Sequence, residues 1–339
     1  MLAVVLEKPG RLALADTEKP AKPGPGEALL RVRQVGLCGT DIHAYRGRQP
    51  FFEYPRVLGH ELGVEIEAVG SGVSHLRPGD RCSVEPYLSA PGDVAYERGR
   101  TNCSASTVCL GVHVDGGMRE RIVAPADKLH PSAALPFEQL ALVETLCIGH
   151  HAVERAALLG DELVAVVGLG PIGLATLQFA LLQGVKAVAA DVSEERLDQA
   201  AALAPGLRTL RVDPQTPPAE NWKALGLPAP EVVWDCTGSQ ASMQASIGLA
   251  DFGGRVVFVG IHNGEIAFDA PFFHRRELSL LSSRNATKRN FRSVIQLLEN
   301  GQIDVAPWIT HRCEAAEFPA RLPEWLGPGS GLLKGVIAF

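Results

Sequence analysis

The stretch Val164-Ala165-Val166-Val167-Gly168-Leu169-Gly170-Pro171-Ile172-Gly173 decides the fold. An apolar run of strand length passes straight into G-x-G-x-x-G, and a helical run, Leu174–Gln183, follows. Each glycine answers a physical need. Gly168 permits a tight turn, Gly170 lets backbone approach a pyrophosphate, and Gly173 lets helix and strand pack closely. The free N–H groups at the helix start then face the phosphates. The glycines alone are a weak signal. Here a strand precedes them, a helix follows, and the next strand, Lys186–Asp191, ends on an acid. A carboxylate at Asp191 accepts hydrogen bonds from ribose hydroxyls and repels a 2′-phosphate, so NAD is favoured over NADP. Arg196 lies within reach of a 2′-phosphate but reads better as a helix-surface residue. The residues expected to line the dinucleotide are Gly168, Gly170, Pro171, Ile172, Gly173, Asp191, Arg196, Thr237, Val259 and Gly260.

Working outward, residues from about 150 to 285 alternate apolar strands with helical patterns. The strand candidates are Leu163–Gly168, Lys186–Asp191, Leu207–Val212, Glu231–Asp235, Arg255–Gly260 and Leu278–Ser282. That rhythm predicts a doubly wound α/β unit on a parallel sheet. Residues 1 to about 145 differ. They are rich in Gly and Pro, with short alternating runs such as Ala28–Val35 that read as half-buried strands between turns. The last fifty or so residues return to this mixed character and end in Lys334–Phe339, a plausible closing strand. The boundaries expected are 1–148 with 287–339 for a mostly-β unit and 149–286 for the nucleotide unit.

The 339 residues are 46% hydrophobic and 21% charged, ordinary values for a globular chain of about two domains. The net charge of −6 is dispersed, which argues against a nucleic-acid or anionic-membrane partner. No apolar stretch approaches the length of a membrane span, and Met1–Lys8 meets charge too early for a signal peptide. Seven cysteines, an odd number without a framework, fit reduced thiols and a cytoplasmic location.

A second constellation lies in the N-terminal part. Gly36-Leu37-Cys38-Gly39-Thr40-Asp41-Ile42-His43 packs a thiol, a hydroxyl and an imidazole into one turn. Gly59-His60-Glu61-Leu62-Gly63 follows, and later Ala141-Leu142-Val143-Glu144. Thiolate, imidazole and carboxylate form a mixed ligand set suited to zinc, and three protein ligands with an open position make a catalytic site. Taken singly, each has a bland alternative: Cys38 as core, His60 as a satisfied turn histidine, Glu144 as a helix-face charge.

These segments resemble the zinc-containing medium-chain dehydrogenase/reductase family, in its branch of sorbitol, threonine and sugar-acid dehydrogenases. The likeness runs along the whole chain and includes Arg77-Pro78-Gly79-Asp80-Arg81-Cys82, Gly116-Gly117-Met118 and Asp235-Cys236-Thr237-Gly238. The resemblance implies a GroES-like mostly-β catalytic domain beside a Rossmann domain, and a homodimer or homotetramer. It implies Cys38, His60 and Glu144 as zinc ligands, Glu61 as an alternative carboxylate, and Thr40 and His43 as a proton relay. Most members also carry a structural zinc on four cysteines spaced C-x2-C-x2-C-x7-C. Counting back from Cys103, this chain has Ala95, Gly92 and Ser89 at the other three positions. A closed tetrahedral site cannot be built from one cysteine, so one catalytic zinc and no structural zinc is expected.

For the substrate, Arg48 and Phe51 follow the relay histidine, and Arg284 and Asn285 follow the last strand of the nucleotide unit. An arginine there offers a fork to a carboxylate. The surrounding residues are similar to sugar-acid dehydrogenases of the L-galactonate type, which implies oxidation of a secondary hydroxyl of an aldonate or 2-keto-3-deoxy sugar acid. The same machinery would serve a polyol or an L-threonine-type substrate. A reading from another class is a nucleotide-binding protein with a structural or regulatory role, which the intact ligand and relay set opposes.

Overall fold

In the computed structural model, which describes residues 1–49 and 52–339, the chain folds into two units. One comprises Met1–Thr145 with Ala286–Phe339; the other is Leu146–Asn285. The helix Phe137–Ala156 carries the chain from the first to the second.

The second unit is built on six strands in the order 208–211, 186–191, 163–167, 232–235, 255–258, 279–282. Every neighbouring pair in it is parallel. Each anticipated strand is present, trimmed by a residue or two at most at an end. These strands were legible because a parallel sheet covered on both faces needs continuous apolar runs. Val164, Val166, Val188, Val233 and Val256 are all fully buried. The strand order reverses between 163–167 and 232–235, which puts the switch point of the sheet beside the glycine loop.

The helix after that loop spans Pro171–Leu182 and so begins three residues before the apolar run suggests. The reason is local: Gly170 is the cap, and Pro171 fills the first helical position, where its missing N–H costs nothing. Gly168 has φ +86°, a left-handed conformation that glycine adopts without strain. A Cβ on Gly173 would sit 1.7 Å from the Gly168 carbonyl oxygen, so only glycine lets this helix reach the strand.

The first unit is mostly β. Its larger sheet runs 129–131, 81–84, 61–69, 27–36, 334–338, 309–314, with 121–125 also pairing 27–36. A second sheet joins 11–16, 2–8 and 56–57. Leu30, Val32, Leu62, Val64, Met118 and Phe318 fill the core beneath. The closing strand Lys334–Ala338 lies antiparallel to 27–36 and parallel to 309–314, so the chain end is stitched into the centre of this sheet. Among the described residues no helix is long and apolar enough to cross a membrane.

Candidate metal and dinucleotide sites

Antiparallel pairing assembles the metal candidates. Strand 27–36 pairs 61–69 with Gly36 opposite Glu61, so Cys38, two residues past one strand, arrives beside His60, which precedes the other. The Cys38 sulfur, a His60 ring nitrogen and a Glu61 oxygen all lie within 4.8 Å of one another. Gly36 makes room: a Cβ there would stand 2.1 Å from Glu61 Oε2.

Asp41 holds the two segments in place. One of its oxygens accepts from the Cys38 N–H at 3.0 Å and the other from the Gly59 N–H at 3.4 Å. It also lies 3.9 Å from His60 Nδ1. Burial raises its pKa, and His60 and the two N–H donors work against that rise. Burial opposes charge on His60 as well, but the neighbouring Cys38 and Asp41 outweigh it and lift the imidazole well above its usual range. A metal ion competes with a proton for that ring.

The donor set fits zinc. His60 is buried, and its Nδ1 finds no hydrogen-bond partner among the described residues. An orphaned imidazole nitrogen beside a thiol and a carboxylate is the arrangement a zinc ion completes.

The two carboxylates proposed as rivals have different partners. Glu61 is gripped through both oxygens by Lys334, whose ammonium also donates to the Leu37 carbonyl at 3.1 Å. With the Lys334 and Glu61 side chains 2% and 1% exposed, this is a fully buried ion pair. Burial opposes charge on Lys334 too, and the Glu61 carboxylate more than restores it. Glu144, buried on helix 137–156, stands outside the 4.8 Å cluster and accepts a short hydrogen bond from the Tyr87 hydroxyl. Its carboxyl is pushed up by burial, which His60 partly offsets.

Thr40 and His43 share the short helix Gly39–Tyr45, one turn apart and on one face. His43 opens to solvent. Partial desolvation and then the charges of Arg46 and Arg48 hold its pKa below the imidazole norm of 6.5. Arg48 and Arg284 are exposed, and Asn285 takes a left-handed φ of +55°. Phe51 lies outside the described residues.

In the nucleotide unit, Asp191 ends its strand against the glycine loop. Its Oδ2 accepts from the Leu169 N–H at 2.6 Å and its Oδ1 from the Ser193 N–H at 2.9 Å. Arg196, half-buried on the helix that follows, donates to Gln199 at 2.9 Å. Beyond Asp191 a shallow pocket is lined by Val192, Arg211, Val212, Asp213 and Pro214. Thr237 and Gly260 sit at the ends of the next two strands over, and Val259 is buried beside them.

Known proteins are similar to this chain along its whole length. Residues 24–135 match the alcohol dehydrogenase GroES-like domain and residues 171–300 the zinc-binding dehydrogenase domain. The chain is 38% identical to the L-galactonate-5-dehydrogenase of Escherichia coli K12, covering 100% of this chain and 99% of that one. This chain belongs to the zinc-containing medium-chain dehydrogenase family. It is a zinc-dependent dehydrogenase acting on CH–OH groups. Two solved structures of this fold hold different nicotinamide nucleotides. An alcohol dehydrogenase (rspB) of E. coli CFT073 in complex with NADH superposes with a TM-score of 0.92 at 29% identity, covering 100% and 99% of the two chains. A zinc-binding dehydrogenase of Sinorhizobium meliloti bound to NADP gives 0.89 at 28%, with the same coverage.

In the lobe where many of these dehydrogenases place four cysteines, a carboxylate is the hub here. Asp93 accepts from the Tyr96 N–H at 2.9 Å, the Ser104 hydroxyl at 2.6 Å and the Ala105 N–H at 3.0 Å. Ser106 ties Ala90 to the same knot through its hydroxyl. Cys103 is exposed.

Sequence reasoning passed over Asp41, Tyr87 and Lys334. Asp41 had a signal: an acid three residues after a helix cap is the capping-box spacing. Tyr87 and Lys334 had none, since nothing in a tyrosine or lysine marks it as the partner of a distant carboxylate. Cys109 carries no local signal either. It lies within electrostatic reach of His60, Glu144 and Cys38, and burial pushes its thiol up to about 12.

Proposed function

We propose that this dehydrogenase oxidises a secondary hydroxyl of a sugar acid, an aldonate or a 2-keto-3-deoxy sugar acid, to a ketone, with NAD as acceptor. The observation that carries the chemistry is the cluster of Cys38, His60 and Glu61 with its orphaned imidazole nitrogen. Cys38 and His60 would hold the zinc together with a carboxylate drawn from Glu61 or Glu144. When bound, zinc supplies Lewis acidity that makes an alcohol proton labile near neutral pH, and the nicotinamide ring accepts the hydride.

The chain's own residues handle the proton and the nucleotide. Thr40 relays the hydroxyl proton to His43, which is neutral at pH 7 and open to solvent, and so passes it to water. The glycine loop and the start of helix 171–182 receive the pyrophosphate. Asp191 receives the adenosine ribose, with the pocket at Val212–Pro214 taking the base. Support for NAD comes from the position of this carboxylate, which repels a 2′-phosphate. Support for a sugar acid comes from full-length similarity to an L-galactonate-5-dehydrogenase and from the Arg48 and Arg284 guanidiniums, which suit a carboxylate.

The test is NADH or NADPH formation with a panel of aldonates, keto-deoxy acids, neutral polyols and threonine. An acid is expected to give the highest kcat/KM, with NAD ahead of NADP. A neutral polyol outpacing every acid would overturn the substrate class. A faster rate with NADP would overturn the role given to Asp191. Failure to bind zinc would overturn the catalytic reading altogether.

A further inference from the structure

The nucleotide unit contains a charged group that the chemistry above does not use. Asp235, the last residue of strand 232–235, is fully buried. It takes part in no salt bridge among the described residues. Instead four neutral donors converge on it. Oδ1 accepts from the Thr237 N–H at 3.0 Å and from the Thr237 hydroxyl at 2.6 Å. Oδ2 accepts from the hydroxyls of Ser242 at 2.6 Å and Ser246 at 2.9 Å. A buried carboxylate without a cation is costly and persists only where its lone pairs are filled.

The two oxygens serve different ends. Oδ2 binds helix 240–249, while Oδ1 shapes the turn that begins at Thr237. The Thr237 hydroxyl in its turn accepts from the Ser239 N–H at 3.0 Å. Gly238 adopts φ +66° within this turn. The turn is packed against the glycine loop with no slack. A Cβ on Gly168 would stand 2.6 Å from the Thr237 methyl, and one on Gly260 would stand 2.3 Å from the Gly238 nitrogen. The Asp235 carbonyl also accepts from the Val259 and Gly260 N–H groups at 2.9 and 3.0 Å. This residue therefore ties together the ends of three neighbouring strands at the switch point of the sheet, where dinucleotides bind in such folds.

We propose that Asp235 is a positioning residue for the dinucleotide. Its Oδ1 fixes the Thr237–Ser239 turn as the floor of the pyrophosphate and nicotinamide half of the site, leaving the adenosine half to Asp191. The proposal rests on the reading of this unit as the nucleotide site. An amide cannot replace the carboxylate, because its NH2 group would face donors on one side.

The test compares NADH and AMP binding by fluorescence titration and competition, with thermal denaturation as the fold control. Asp235→Asn is expected to weaken NADH about tenfold, or ~1.4 kcal/mol, with AMP affinity within twofold of the parent chain. Ser242→Ala/Ser246→Ala strips only Oδ2, and is expected to lower Tm while leaving NADH affinity within twofold. If Asp235→Asn does not fold, Thr237→Val removes two of the turn's hydrogen bonds and should give the same NADH-selective loss. Parallel loss of NADH and AMP affinity would reduce Asp235 to a structural role and overturn the proposal. Unchanged NADH affinity in a folded Asp235→Asn, or equal NADH losses in the serine double variant, would also overturn it. A parent chain that binds neither NADH nor NADPH would overturn the nucleotide reading first, and this inference with it.

Discussion

His60 brings a ring nitrogen that no neighbour can supply in its place. His60→Ala is therefore expected to drop zinc from about one per chain to near zero, read by elemental analysis after dialysis, and to remove activity with it. Two zincs in the parent chain would instead mean that the lobe around Asp93 binds metal. His43 sets a second expectation at this scale. Its pKa lies below 6.5, lowered first by desolvation and then by Arg46 and Arg48. A relay base must be neutral, so kcat/KM falls only as pH drops through that lowered value. Removing positive charge makes protonation easier, so Arg46→Gln/Arg48→Gln shifts the acidic limb of the pH profile upward. A limb that stays in place would exclude His43 as the group being titrated. The residue types in both cases were legible. Cys38, Thr40, His43 and His60 carry chemistry that few other side chains can, and they sit in short local runs.

At the scale of elements, the strands and helices of the nucleotide unit follow from local pattern. Strand 163–167 is apolar throughout because both its faces are covered, and helix 171–182 starts where Gly170 and Pro171 dictate. The lobe at 89–106 behaves otherwise. Its sequence says only that three cysteine positions are vacant, whereas its structure shows Asp93 drawing Tyr96, Ser104 and Ala105 together. Asp93→Ala is expected to accelerate proteolytic cleavage within this segment while the catalytic zinc content stays unchanged. A variant as resistant as the parent would show that packing alone holds the lobe. The Asp93 knot was not legible because serine and aspartate in a polar loop are ordinary, and only their convergence in space gives them a role.

For the whole molecule, the decisive contact joins the closing strand to segments from the first fifth of the chain. Lys334 lies on the closing strand, and its ammonium is buried on Glu61, 273 residues away, and on the Leu37 carbonyl. Removing one partner of a buried pair leaves an uncompensated charge, which costs about 3–5 kcal/mol. Lys334→Met is expected to lower stability by that order in chemical denaturation. Lys334→Met/Glu61→Gln, which leaves no buried charge behind, should recover most of the loss. If the double variant is no more stable than the single, the pair is not the source of the effect. Truncation before Lys334 removes a central strand as well, and should abolish folding of the first unit.

The sequence by itself determined the parallel-sheet unit, the glycine loop with Asp191 at the end of the next strand, and the cysteine, histidine and carboxylate types of the candidate metal centre. Those depend on local periodicity, on Gly168 and Gly173 at positions a side chain would not fit, and on side chains whose chemistry is rare. Only the tertiary structure decided how the carboxylates are shared: Glu61 clustered with Cys38 and His60 but held by Lys334, Glu144 set apart on Tyr87, and Asp41 bracing the pair of ligand segments. The reason is physical. Which partner a buried charge finds is fixed by strand register and by the return of the chain end into the sheet, and neither leaves a mark on the residues nearby in sequence.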